Sequence, residues 1–128
     1  MPGPLPDPTE VDRPYWEGAR AGVLRLQRCA ACRQLLFPPA RRCPQCDGDA
    51  LRWEDLRGRG RIWSWVVFRR QYFPAMPPPY IVVRVRLDEG PLVIANLVGG
   101  EPAIDAPVRA VFHDTGRGLV LPQFVVEG

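Results

Sequence analysis

The chain has 128 residues, with 17 Arg and no Lys set against 14 acidic residues and one His, for a formal charge of +3. That length allows one small domain with an appendage and a modest core. So slight a basic excess argues against a protein that holds nucleic acid by charge alone.

The first ten residues are Pro-rich and acidic with no apolar stretch, so they do not read as a signal peptide. No run approaches membrane-spanning length, and a cytoplasmic protein without membrane contact is expected. Pro2, Pro4, Pro6 and Pro8 exclude helix and sheet, so residues 1–11 are expected to be a disordered arm. Residues 12–27 should form a short helix and a lead-in strand. Asp12 stands where an N-cap belongs and Pro14 in the first turn, and Gly22 ends about two turns later. Tyr15, Trp16 and Ala19 share a face of that helix, which is too short to persist undocked. Its own domain or a partner protein can supply the surface. Val23 to Gln27 alternates as a strand.

Residues 28–50 contain every cysteine: Cys29-Ala30-Ala31-Cys32, then Cys43-Pro44-Gln45-Cys46. Two Cys-x-x-Cys pairs across a hairpin-length loop present four thiolates to one tetrahedral ion, the pattern of a zinc ribbon. Disulfides fit a secreted chain better, and a redox pair needs only one Cys-x-x-Cys in a βαβ setting. Iron is the rival metal for an all-sulfur cage. Four protein ligands close the coordination sphere, so the expected ion is structural. With it bound, the net charge falls to about +1.

Residues 51–128 read as all-β. Leu51 to Leu56 leads in, and Arg61 to Arg70 is the first long strand. A proline-dense loop, Gln71 to Pro79, follows. Tyr80 to Leu87 and Pro91 to Leu97 form a hairpin through Asp88-Glu89-Gly90. Val108 to Phe112 and Leu119 to Val126 complete the set. Five strands in this order suit a small Greek-key barrel of the oligonucleotide/oligosaccharide-binding (OB) kind. A sandwich is the other arrangement that fits the count.

Strand alternation puts Arg84 and Arg86 on one face, where they either meet solvent or bind the phosphates of a nucleotide or coenzyme A. Arg69 and Arg70, at the mouth of the long loop, invite the same two readings. Trp63 and Trp65 are expected to share a face, with Tyr72 and Phe73 in the stiffened loop nearby, an aromatic region suited to packing or to a protein interface. His113 and Asp114 point to opposite faces, so they do not make an acid–base pair. No residue set for catalysis stands out.

Leu26-Gln27-Arg28-Cys29-Ala30-Ala31-Cys32, Phe37-Pro38-Pro39-Ala40-Arg41-Arg42-Cys43-Pro44-Gln45-Cys46, Gly58-Arg59-Gly60-Arg61-Ile62-Trp63-Ser64, Pro79-Tyr80-Ile81-Val82, Leu87-Asp88-Glu89-Gly90 and Leu121-Pro122-Gln123-Phe124 together resemble a known family. It is the acyl-CoA-associated OB-fold family with an N-terminal rubredoxin-like zinc ribbon, domain of unknown function thirty-five. Arg33 departs from it, standing where the family often has Gly, and Asp47-Gly48 replaces the usual Gly or Ser. The resemblance implies a mainly β chain, in which a short N-terminal helix and the ribbon precede a five-stranded OB-fold barrel. It also implies a non-catalytic heteromer subunit working with a thiolase, a lipid-transfer-type thiolase or aldolase, or a hotdog hydratase. On that reading a CoA thioester is the ligand of the complex, in lipid or steroid metabolism. Contacts to partner or acyl-CoA are expected from Tyr15, Trp16, Arg69, Arg70, Tyr72, Phe73, Arg84 and Arg86. The competing reading is a nucleic-acid-binding ribbon plus barrel. The strands that would carry its stacking platforms, Ile81-Val82-Val83 and Leu92-Val93-Ile94-Ala95, are aliphatic.

Overall fold

A computed structural model describes residues 9–70, 78–116 and 118–127. Helix α1 spans Arg13–Arg20, with proline in its first turn. Asp12 sits at the N-cap position but does not cap. Its carboxylate accepts instead from the Thr9 backbone N–H at 2.6 Å and the Thr9 hydroxyl at 3.0 Å. Gly22, at φ +78°, turns the chain out of the helix. A Cβ at Gly18 would lie 2.7 Å from Arg25 Cβ, so a glycine is what lets the helix lie against the next strand. Arg20 donates to the Gly118 carbonyl at 2.8 Å, and Tyr15 packs on the main core. The helix thus docks on its own molecule.

Three strands, β1 (Leu24–Cys29), β2 (Leu35–Leu36) and β3 (Leu51–Leu56), form a sheet in the order β2-β1-β3. The sequence reading opens the barrel at residue 51, but Leu51–Leu56 pairs along the whole of β1, from Leu24↔Leu56 to Cys29↔Leu51. The cross-strand ion pairs Arg25–Asp55 (2.6 Å) and Arg28–Glu54 (2.9 Å) favour that pairing. Gln27 breaks the alternation of β1, being buried at 4% exposure. Its amide donates to the Ala40 carbonyl at 3.0 Å and accepts from the Ala40 N–H at 2.7 Å, so burial leaves neither end unpaired.

The remaining strands are β4 (Arg59–Phe68), β5 (Tyr80–Leu87), β6 (Leu92–Gly99), β7 (Pro107–Asp114) and β8 (Val120–Val126). They close a barrel in the order β4-β5-β6-β8-β7, with β6 and β8 parallel and the other pairs antiparallel. Arg69 and Arg70, expected at the end of the first long strand, fall beyond it. A bulge between Ile62 and Ser64 inserts Trp63 as an extra residue. Ile62 therefore faces inward opposite Val85 while Trp65, opposite buried Val83, packs on the core. Trp63 is left outside at 51% exposure. The two tryptophans do not share a face, because strict period-two alternation resets at a bulge.

Of two cores among the described residues, a small one around Cys29, Leu36 and Cys43 lies in the ribbon and the larger one joins the two sheets. Leu24, Leu26 and Leu56 of the three-stranded sheet pack with Ile62, Val83, Val85, Val93, Val108 and Phe124 of the barrel. Among the described residues no helix is long and apolar enough to cross a membrane.

Candidate metal centre and docking surfaces

Each cysteine pair sits on a tight knuckle of the same design. The Arg33 N–H bonds the Cys29 carbonyl at 2.7 Å, and the Asp47 N–H bonds the Cys43 carbonyl at 2.8 Å. Both closing residues take left-handed backbone, Arg33 at φ 67° and Asp47 at φ 60°. These are the two positions where the sequence departs from the family pattern, and both keep the turn without glycine. Arg28 braces the first knuckle by donating to the Arg33 carbonyl at 2.6 Å. Arg42 braces the second by donating to the Asp47 carboxylate and carbonyl at 3.1 and 2.7 Å.

The knuckles face each other. The four Sγ atoms lie within 4.8 Å of one another, with Cys29–Cys46 at 3.6 Å and Cys32–Cys43 at 3.5 Å. Tetrahedral zinc, with Zn–S of about 2.3 Å, asks for sulfurs roughly 3.8 Å apart. All four are free thiols, and a disulfide requires about 2.05 Å. The Cys32 backbone N–H, helped by that of Ala31 and by neighbouring thiols, outweighs burial and lowers the Cys29 thiol to about 7. At Cys46, by contrast, the Gly48 backbone N–H is outweighed by the neighbouring thiols and burial, which raise the thiol to about 12, and Cys32 is raised as well. Cys29, Cys32, Cys43 and Cys46 therefore fit a four-thiolate zinc site. What such an ion supplies is rigidity, since all four positions are taken.

A second feature is a cleft of about 290 Å³ where α1, the Phe37-Pro38-Pro39 flank of the ribbon and strands β6 and β8 meet. Tyr15 and Trp16 line it, edge to face at 4.8 Å, and Tyr15 also meets Phe37 at 5.9 Å. Burial, with the Asp12 carboxylate adding to it, raises the Tyr15 phenol to about 12. Ile94, Ala95 and Asn96 form the barrel side.

A third feature is the outer face of β4, β5 and β6. Arg84 and Arg86 do share it, both exposed. The Arg86 guanidinium lies 4.5 Å over the Trp63 ring and donates to the Gly90 carbonyl at 2.9 Å. The expected contact residues thus divide between two neighbouring regions, Tyr15 and Trp16 at the cleft, Arg84 and Arg86 on the sheet. Ile94 joins them, because it lines the cleft and stands opposite Arg84 in register. Arg69 and Arg70 are exposed just past β4, and Tyr72 and Phe73 lie outside the described residues. Sequence reasoning missed Ile94 and Val66 as surface groups, each 57% exposed. Their aliphatic strands read as interior, and only the register tells which half faces out.

Residues 16–52 match the family model described as the rubredoxin-like zinc ribbon domain of ChsH2, and residues 53–113 the one described as the C-terminal OB-fold domain of ChsH2. A DUF35 domain-containing scaffold protein of Pyrococcus furiosus is 30% identical over 100 residues, covering 74% of this chain and 70% of its own length. This chain belongs to the ChsH2/DUF35 family. Among solved structures, the Ltp2-ChsH2(DUF35) aldolase contains a chain that is 33% identical with a TM-score of 0.86, covering 95% of this chain and 98% of that one. A DUF35 protein of Sulfolobus solfataricus shares the fold at a TM-score of 0.67 and 12% identity, over 92% of this chain and 86% of its own. A probable enoyl-CoA hydratase alpha subunit of Thermomonospora curvata is 36% identical over 117 residues, 88% of this chain and 37% of its own length. The 3-oxo-4,17-pregnadiene-20-carboxyl-CoA hydratase alpha subunit of Mycobacterium tuberculosis is 32% identical over 119 residues, 84% of this chain and 38% of its own length. A ChsH2/DUF35 chain of this size therefore spans under two-fifths of either hydratase subunit.

Proposed function

We propose that this chain is a non-catalytic accessory subunit of an acyl-CoA-processing enzyme, either a thiolase or lipid-transfer-type aldolase or a hotdog hydratase, whose acyl-CoA site it shapes or covers. The observation that carries this reading is the end-to-end likeness to the ChsH2(DUF35) component of an Ltp2 aldolase. A closed four-thiolate cage supports it, since it offers the reaction no open metal position. Exposed His113 supports it too, because the neighbouring Asp114 carboxylate is engaged by the Gly116 N–H at 2.8 Å. The CoA thioester would be the ligand of the assembled pair.

The chain should be coexpressed with the Ltp2-type aldolase or hydratase subunit of its own source and assayed on steroid acyl-CoA thioesters. The expected result is a stable heteromer, activity that depends on both subunits, and none from this chain alone. Turnover by the isolated chain would overturn the accessory role. So would a chain that stays alone and binds single-stranded oligonucleotide with a steep salt slope.

A further inference from the structure

We infer that the outer face of β4, β5 and β6 is the surface that seats the enzyme subunit, and that the seated surface is apolar with a carboxylate opposite Arg84. This rests on the accessory role proposed above. Register makes the face continuous. Val66 stands beside Val82 and Asn96, and one step along, Ser64 stands beside Arg84 and Ile94. Val66 and Ile94 are each 57% exposed. Isolated exposed aliphatics are ordinary, but Val66 and Ile94 flank half-buried Val82 on the middle strand, and the three together make an apolar patch of the kind that associations cover.

Charge chooses the occupant. No Asp or Glu occurs anywhere in β4, β5 or β6, whereas Arg61, Arg84 and Arg86 are all exposed there. Arg86 is engaged with Trp63 and Gly90, but Arg84 makes no ion pair or hydrogen bond among the described residues. A second copy of this face would bring only like charges to the contact, so the fit is to a different protein that supplies the acid. Strand addition is excluded because the barrel closes on itself. Base stacking is disfavoured, since the Trp63 ring already carries the Arg86 guanidinium and Phe68 is stacked on Tyr80 at 4.9 Å.

The test uses the reconstituted pair from the preceding section, with Arg84→Glu and Ile94→Glu in the full chain and Arg109→Glu on β7 as a charge control. Each of the first two should weaken assembly at least about tenfold, and the control should leave it unchanged. Thermal unfolding of the isolated variants should match wild type. Hydrogen exchange of the wild-type pair should slow in residues 59–68, 80–87 and 92–99. Wild-type assembly that ignores both substitutions overturns this inference alone, and a wild-type chain that assembles with no such subunit overturns it together with the accessory role. Self-association abolished by Ile94→Glu, or oligo-dT binding abolished by Arg84→Glu, also overturns it.

Discussion

Arg33 occupies a backbone conformation that costs a side-chain-bearing residue roughly 1 kcal/mol. Its carbonyl, not its side chain, is what Arg28 grips. Arg33→Gly should therefore raise the stability of the metal-loaded protein by about 0.5–1 kcal/mol, seen as a higher thermal midpoint with unchanged metal content. Asp47→Gly should gain less, because it also removes the ion pair with Arg42. Tyr15 offers a second residue-level test. Its phenol is raised from 10.0 to about 12 by burial, so the unfolded chain ionises first. Stability on this account is intact below pH 10 and declines as pH climbs towards 12, and Tyr15→Phe should remove that decline in alkaline denaturation. At this scale the cluster of four cysteines that fits a zinc ion was legible from spacing alone, since Cys-x-x-Cys pairs have few other uses in such a chain. The relation of Trp63 to Trp65 was not, because a single inserted residue leaves no mark in composition.

Among the elements, β4 depends on one close crossing. A Cβ on Gly60 would collide with the Arg86 carbonyl oxygen and lie 2.9 Å from Leu87 Cα, both backbone atoms that cannot yield cheaply. Gly60→Ala should destabilise the barrel by about 2 kcal/mol or more, measured by denaturant unfolding. The ribbon depends on its ion in the same way. Cys43→Ser should lose bound metal by elemental analysis and lower the thermal midpoint of the whole chain, because the ribbon sheet shares the barrel core. The same analysis of wild type decides between zinc and iron. The first ribbon strand and the five barrel strands were readable from alternation, but Leu51–Leu56 read only as a lead-in and its sheet was not legible. Its pairing is with β1, favoured by the distant partners Arg25 and Arg28, which local pattern does not reveal.

For the whole molecule, Leu24, Leu26 and Leu56 carry the ribbon sheet into the barrel core. Chelating the metal should therefore lower a single unfolding transition followed alike by tryptophan fluorescence and far-ultraviolet dichroism, and not release a separate ribbon melt. The barrel class was legible from five strands and their connections. The proposed docking face was only half legible, because alternation reveals which residues share a face but not which face the chain leaves uncovered. Gln27 adds a kinetic consequence. By bonding both polar groups of Ala40 it holds the loop to the second knuckle against β1 independently of any ligand. Metal uptake should then be capture by a cage already half assembled, with a fast on-rate. Gln27→Leu should slow loading while leaving the spectrum of the cobalt-substituted four-thiolate site as it is in wild type.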